Sequence, residues 1–295
     1  MNVLVTGGAG FIGTNLIKRL IGDGHQVVSL DNYTTGNEDN NLIDENVKYF
    51  YTDIRDVLEF DSFSDKPFDI VYHLAAVPRI QPSFEYPEAT YEVNVNGTMN
   101  LLSWLRTKKN VPLVYAGSSS SNGDVYSNPY TFSKHQGEEI VKMYNKIYGV
   151  PSAICRFYNV YGPHHLTEGE YCTVLGIFEK QYKEGVELTI TGDGEQRRDF
   201  THVFDIVDGF VRCGDLLVDN RGDVNGETFE LGRGENYSIN VIAQSFDNGF
   251  TYIPERPGEM RETLCTDTKA REILNWKPTI DVLDYIEGVR VENKL

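Results

Sequence analysis

Tyr130 and Lys134 stand four residues apart in Tyr130-Thr131-Phe132-Ser133-Lys134. On a helix that spacing puts a phenol and an ammonium on one face. A nearby positive charge favours the phenolate, so Tyr130 is a candidate general base near neutral pH. Upstream, Ser118-Ser119-Ser120-Ser121 follows an apolar run, and one of these hydroxyls could bond the oxygen whose proton Tyr130 removes. A second constellation is Thr6-Gly7-Gly8-Ala9-Gly10-Phe11-Ile12-Gly13. Gly7 suits a tight turn, Gly10 a backbone approaching a pyrophosphate at a helix N-terminus, and Gly13 close helix–strand packing. Asp31 closes the next apolar run, where a carboxylate bonds ribose hydroxyls and repels a 2′-phosphate, so NAD is expected over NADP. Asp53-Ile54 would lie at an adenine edge, and Leu74-Ala75-Ala76 is small enough for a cofactor to pass closely. Each feature has a plainer reading when taken alone. The Tyr–Lys pair could be a surface pair, the glycines a turn, Asp53 a helix N-cap, and His73 a packed core histidine.

These residues need elements to hold them. β-rich runs at Asn2–Thr6, Gln26–Leu30, Val47–Tyr51, Ile70–Leu74, Leu113–Ala116 and Ala153–Arg156 alternate with helical patterns such as Phe11–Ile21 and Tyr91–Arg106. That alternation predicts an α/β fold with a doubly wound parallel Rossmann sheet. Pro87 suits a first helical turn, and a helix from about Tyr130 should stop at Gly149 ahead of Pro151. After Asn159 glycines become frequent and strands short, which predicts a smaller mixed α/β substrate lobe. The expected division is 1–158 plus about 187–220 for the Rossmann domain, including a helix over Val203–Leu217, and 159–186 with 221–295 for the lobe. A small ligand belongs between them.

The chain has 295 residues and a formal charge of −17, from 44 acidic and 27 basic side chains. Such a balance argues against nucleic acid and anionic membranes, which need a basic footprint. No apolar run approaches the roughly 20 residues of a membrane span, and the first residues do not resemble a signal peptide. Cys155, Cys172, Cys213 and Cys265 form no Cys-x-x-Cys pair and are read as reduced thiols of a cytoplasmic protein, with the sequons at Asn32, Asn96 and Asn236 as chance matches. His164-His165 has no further ligand at metal spacing, so no metal is expected. Trp104 and Trp276 read as packing residues.

Together these motifs resemble those of extended short-chain dehydrogenases/reductases of the NAD-dependent epimerase/dehydratase group. The likeness runs through Thr6–Gly13, Asp31-Asn32, Asp53-Ile54, His73–Ala76, Asn94–Gly97, the serine run, Tyr130–Lys134 and Arg156–Pro163. It continues in Gly192-Asp193-Gly194, Arg198-Asp199-Phe200 and Arg256-Pro257-Gly258-Glu259. UDP-sugar 4-epimerases are the most similar. The resemblance implies bound NAD, removal of the sugar 4-OH proton by the tyrosine as C4 hydride leaves, and return of hydride to the other face of a 4-keto sugar. It implies Ser118, Tyr130 and Lys134 as catalytic residues, with Ser119 competing for the hydroxyl role and Lys134 also holding the ribose. Cofactor contacts are implied for Gly7, Gly10, Phe11, Ile12, Gly13, Asp31, Asn32, Asp53, Ile54, Leu74, Ala75, Ala76, Tyr130 and Lys134. Substrate contacts are implied for Ser119, Asn159, Thr173, Val174, Arg198, Arg256 and Thr263, with Asn159 and the two arginines on the diphosphate. A homodimer through a four-helix bundle is also implied, from helices carrying Val93, Met99, Leu102 and Leu105 and Ile140, Val141, Tyr144 and Ile147.

Three features bear on the branch. Dehydratases of the group carry Asp-Glu after the hydroxyl residue, and decarboxylases usually a Glu nearby. Here the next acid is Asp124, which favours simple epimerisation of UDP-glucose/UDP-galactose. Thr263 occupies the position beside the sugar C2 substituent in the resembling enzymes, and its small size would admit UDP-GlcNAc/UDP-GalNAc. The connection from Asn122 to Pro129 is shorter than the family's usual one and lacks its Val-Tyr-Gly ending, which would open the site or alter substrate choice. A dehydratase, decarboxylase or reductase, and a non-catalytic NAD(H)-binding regulator, are the competing readings.

Overall fold

The computed structural model describes residues 1–56 and 60–293. β1 (Asn2–Thr6) leads through the glycine cluster into α1 (Phe11–Gly22), and β2 (Gln26–Asp31), β3 (Val47–Tyr51) and β4 (Ile70–His73) follow. The last ends one residue before its apolar run does, and Leu74-Ala75-Ala76 leaves the sheet. α2 (Ile80–Glu85) comes next. The single helix expected over Tyr91–Arg106 is divided: α3 (Pro87–Tyr91), with Pro87 in its first turn, a π-helical turn over Glu92–Gly97, and α4 (Thr98–Leu105). The wide turn carries Asn94 inward, where its amide pairs with both backbone groups of Val77 (2.8 and 3.1 Å) and donates to Ser133 Oγ (2.9 Å). π turns concentrate at functional sites.

β5 (Leu113–Ser118) runs into the serine cluster. α5 (Pro129–Tyr148) is capped by the Asn128 side chain, which accepts from Thr131 N, and is stopped by Gly149 in the left-handed conformation. Then come β6 (Ser152–Phe157), β7 (Asn159–Tyr161), α6 (Val174–Glu184), β8 (Leu188–Thr191), β9 (Arg197–His202), α7 (Val203–Val218) and β10 (Thr228–Leu231). The chain finishes with β11 (Asn236–Ser238), α8 (Ile239–Ser245), β12 (Phe250–Ile253), α9 (Lys269–Ile273) and α10 (Val282–Glu292).

The large sheet is parallel throughout, in the order β10-β6-β5-β4-β1-β2-β3. Strand order reverses between β1 and β4, so the crevice beyond their carboxyl ends is the natural ligand site. One face packs on Leu16, Ile17, Val207 and Phe210 of α1 and α7, and the other on Leu101, Leu105, Val141 and Tyr144 of α4 and α5. Two smaller sheets, β11-β9-β7 and β12-β8, surround a third core that includes Tyr161, Phe178, Leu188, Phe246 and Ile286. Two segments fall on the other side of the expected division. β8 and β9, within 187–202, belong to the small sheets. Thr228–Leu231 joins the large sheet as an edge beside β6, because Phe229 and Leu231 bury completely in its core. Among the described residues no helix is long and apolar enough to cross a membrane.

Candidate active site

The crevice opens into a cavity of about 560 Å³ between the large sheet and the smaller lobe. Its floor is the glycine turn. Gly7 has φ 76°, and a Cβ there would stand 2.7 Å from Ala75 N; a Cβ on Gly13 would stand 2.1 Å from Gly7 O. A side chain at Gly7 would push the turn off the Leu74-Ala75 backbone, and one at Gly13 would push α1 off the turn. Asp31 fixes the turn from beneath: Oδ2 accepts from Ala9 N (2.9 Å) and Oδ1 from Tyr33 N (2.8 Å), while burial pushes its carboxyl upward from the usual value. Gly10, Phe11, Ile12, Asn32, Ile54, Leu74, Ala75 and Ala76 line the same space. The exposed backbone at the start of α1, with Asp31 at the end of β2, fits the pyrophosphate and ribose of a dinucleotide.

Asp53 does not line the cavity as expected. Its carboxylate is engaged by Arg55, through Nε (2.9 Å), Nη2 (2.9 Å) and the backbone N–H (2.9 Å), and by Asn32 Nδ2 (2.8 Å), and the Arg55 bonds lower its pKa to about 2. His73 is a packed residue, held between Thr6 Oγ1 (2.6 Å) and Thr98 Oγ1 (2.9 Å), and burial lowers it to about 3.

Tyr130, Lys134, Ser118 and Ser119 all reach this cavity. The Ser118 hydroxyl bonds that of Ser120 (2.8 Å) and accepts from Ser120 N (3.3 Å). Lys134 is buried, donates to Ala116 O (2.6 Å) and Tyr115 Oη (3.2 Å), and is lowered to about 8 by burial. The expected pairing of Lys134 with the phenol is not how the charges fall. Burial raises Tyr130, and hydrogen bonding with Ser118 and the charge of Arg79 oppose that rise. Arg79 is a residue that sequence reading missed. The signal available was a lone cation four residues after Ala75.

Glu138 is a second missed residue, two turns beyond Tyr130 on the same helix face. It is fully buried and bonds Ser118 N (3.3 Å), Ser121 Oγ (3.2 Å) and the Arg156 guanidinium (2.7 and 3.0 Å), while Arg156 also reaches Glu230 (3.1 Å). This network fixes the serine run from behind.

On the lobe side, Thr173 caps α6 through Gly176 N (3.0 Å), and Thr173 and Val174 face the cavity. Arg198, Arg256 and Thr263 also line it. Arg198 lies 3.7 Å from Glu259, and Arg256 is exposed. Asn159 donates to Asp199 O (3.1 Å) and Thr263 Oγ1 (2.9 Å), so its amide hydrogens are committed and only its carbonyl oxygen remains. Among the described lining residues, five are basic (Arg55, Arg79, Lys134, Arg198, Arg256) and three acidic (Asp31, Glu170, Glu259). A chain of charge −17 therefore keeps a cation-rich cavity.

A parallel sheet with a glycine turn, an acid ending β2 and Tyr130–Lys134 beside it is matched by a family model. The model described as the NAD dependent epimerase/dehydratase family covers residues 3–232. The chain belongs to that family. Like the rest of this NAD-dependent epimerase/dehydratase family, it uses NAD. A UDP-glucose 4-epimerase of Mycolicibacterium smegmatis is 31% identical, across 97% of this chain and 96% of its own. Pal from Bacillus thuringiensis superposes with a TM-score of 0.91 at 32% identity, covering 100% of this chain and 99% of its own. A UDP-glucuronic acid 4-epimerase from Bacillus cereus, solved with UDP-glucuronic acid and NAD, gives 0.88 at 27% identity, with 100% and 99% covered.

Proposed function

We propose that this protein inverts the C4 hydroxyl of a UDP-sugar, with UDP-glucose/UDP-galactose as the reference pair. The observation that carries the reading is the setting of Tyr130. It shares one cavity with Ser118, Lys134 and the glycine turn, and the described carboxylates that line this cavity are Asp31, Glu170 and Glu259, none of them between Ser118 and Tyr130. Elimination of water would need an acid directly after the hydroxyl residue, where this chain has Ser119, Ser120 and Ser121; Glu138, which bonds Ser121, does not line the cavity and is paired with Arg156. When bound, NAD supplies the hydride acceptor and donor for C4. Tyr130 takes the 4-OH proton and returns it, and the Ser118 hydroxyl orients the sugar oxygen. Lys134 would donate to the cofactor ribose, and Arg79 is the positive charge that favours the phenolate. Arg198 and Arg256 face the diphosphate, for which guanidinium is well suited. Thr263 leaves room for an N-acetyl group at C2. The reading includes a homodimer through α4 and α5, supported by exposed Met99, Met143, Ile147 and Tyr148 on those helices.

Incubation with UDP-glucose, UDP-GlcNAc and UDP-glucuronate, followed by separation of products, tests the reaction. The expected product is the C4 epimer of at least one of them. Release of CO₂ or a stable 4-keto-6-deoxy sugar as the main product would replace the epimerase reading. Tyr130→Phe should lower kcat by about 10²–10⁴-fold.

A further inference from the structure

Arg79 is the cation in the cavity that the reading above leaves without a task. It sits at the start of α2 with φ 82° and ψ 142°, a backbone region that L-residues rarely adopt. Such strain persists only where the surroundings impose it. Here they do. Asn94 holds Val77 by both backbone groups, the Pro78 ring restricts the next φ, and Ser83 of α2 accepts from Tyr130 N (3.1 Å). Asn94 also bonds Ser133 Oγ (2.9 Å), which donates to Tyr130 O (2.8 Å). Arg79 and Tyr130 are thus carried by one hydrogen-bonded frame.

The guanidinium is aimed but unmatched. Its Nε donates to Tyr171 O (2.9 Å), and among the described residues no carboxylate lies within 4.0 Å of it. Two of the other cavity arginines do have acidic neighbours: Arg55 has Asp53 and Glu92, and Arg198 has Glu259. Burial lowers Arg79 from the usual arginine value, and the groups closest in charge are Tyr130 and Cys172. Arg79 begins α2, whose Ser83 bonds Tyr130 N, and both Arg79 and Tyr130 line the cavity. Arg79 is half-buried and lines the cavity, where a neutral sugar hydroxyl would leave its charge unmatched. A carboxylate matches its planar fork through two parallel hydrogen bonds.

We propose that Arg79 is a specificity-determining residue that binds a carboxylate on the sugar ring, so that the preferred substrate is a nucleotide-linked hexuronic acid. The inference rests on the epimerase reading for its reaction but not for its binding step.

Two measurements separate them. The first is the dissociation constant of the NAD-loaded protein for UDP-glucuronate, UDP-glucose and UDP, by titration calorimetry. The second is kcat/KM for the two sugars. In the wild-type protein UDP-glucuronate should bind about tenfold or more tightly than UDP-glucose. Arg79→Gln should reduce that preference, and the corresponding kcat/KM ratio, by about 30-fold. Arg79→Gly removes the guanidinium and relieves the strained backbone, so it keeps a folded test available and should lose the same preference. Equal losses for all three ligands, or for both sugars alone, would overturn the assignment, since Arg79 would then serve the diphosphate or Tyr130. If the wild-type protein epimerises neither sugar, the epimerase reading fails, and the binding ratio still decides Arg79.

Discussion

Tyr130 and His73 show how one environment tunes two residues differently. Both are desolvated, but Tyr130 faces the cavity with Ser118 and Arg79 favouring its anion, whereas His73 is enclosed between two threonine hydroxyls with Lys134 as its nearest charge. His73 therefore stays neutral in the folded state down to about pH 3, while an unfolded histidine titrates near 6.5. Its contribution is complete above the unfolded value and is lost as pH falls from about 6.5 towards 3, because the unfolded chain then binds the extra proton. Each such histidine adds a slope of up to about 1.4 kcal/mol per pH unit. His202, lowered to about 4 by burial, acts in the same direction. Denaturant titrations at pH 7 and pH 5 should show wild-type stability falling, and His73→Gln should show a shallower fall despite a lower starting value. Equal slopes would mean that His73 protonates freely in the native state. At this scale the sequence was informative where spacing carries the chemistry: Tyr130 with Lys134, and Gly7 with Gly13. It was silent where chemistry depends on neighbours from elsewhere in the chain. Arg79 meets Tyr130 only after α2 packs on α5, and Glu138 meets Arg156 and Ser118 only after α5 packs on β5 and β6.

Between elements, the decisive joint is the buried network of Glu138 on α5, Arg156 on β6 and Glu230 on β10, which also holds the end of β5 at Ser118. Glu138 is fully buried and the Arg156 side chain is 15% exposed, so both charges depend on each other. Removing one partner of such a pair typically costs about 3–5 kcal/mol, because the other is left buried and uncompensated. Arg156→Met should lose about that much stability in denaturant unfolding. The double variant Arg156→Met with Glu138→Gln should recover a large part of it. A single variant as stable as wild type would show that water reaches Glu138. The parallel strands and α5 were legible because apolar runs, Asn128, Gly149 and Pro151 are local signals. The π turn was not, since the Tyr91–Arg106 pattern is amphipathic with or without one extra residue per turn, and its cause is the inward pull on Asn94 from Val77 and Ser133. The edge placement of Thr228–Leu231 was equally hidden, because a strand of four residues with two apolar positions does not declare its partner.

For the whole molecule, the question is how a protein of charge −17 would receive the anionic nucleotide sugar proposed above. Two ranges of electrostatics compete. The excess of acidic side chains repels the ligand at long range, whereas the five basic residues of the cavity attract it once it is inside. Salt acts unequally on the two. The Debye length shortens from about 30 Å at 0.01 M to about 8 Å at 0.15 M, which removes most of the surface repulsion and leaves contacts within a desolvated cavity much less affected. Raising ionic strength over that range should therefore lower KM for the UDP-sugar, by a factor of about two to ten, with kcat nearly constant. A basic docking surface would do the reverse, and a KM that rises steadily with salt would show that arginines at the mouth, such as exposed Arg256, govern capture. Arg256→Gln distinguishes the two cases. If long-range repulsion dominates, the variant has a higher KM at every salt concentration but keeps the downward trend, because the surface charge that sets the trend lies elsewhere.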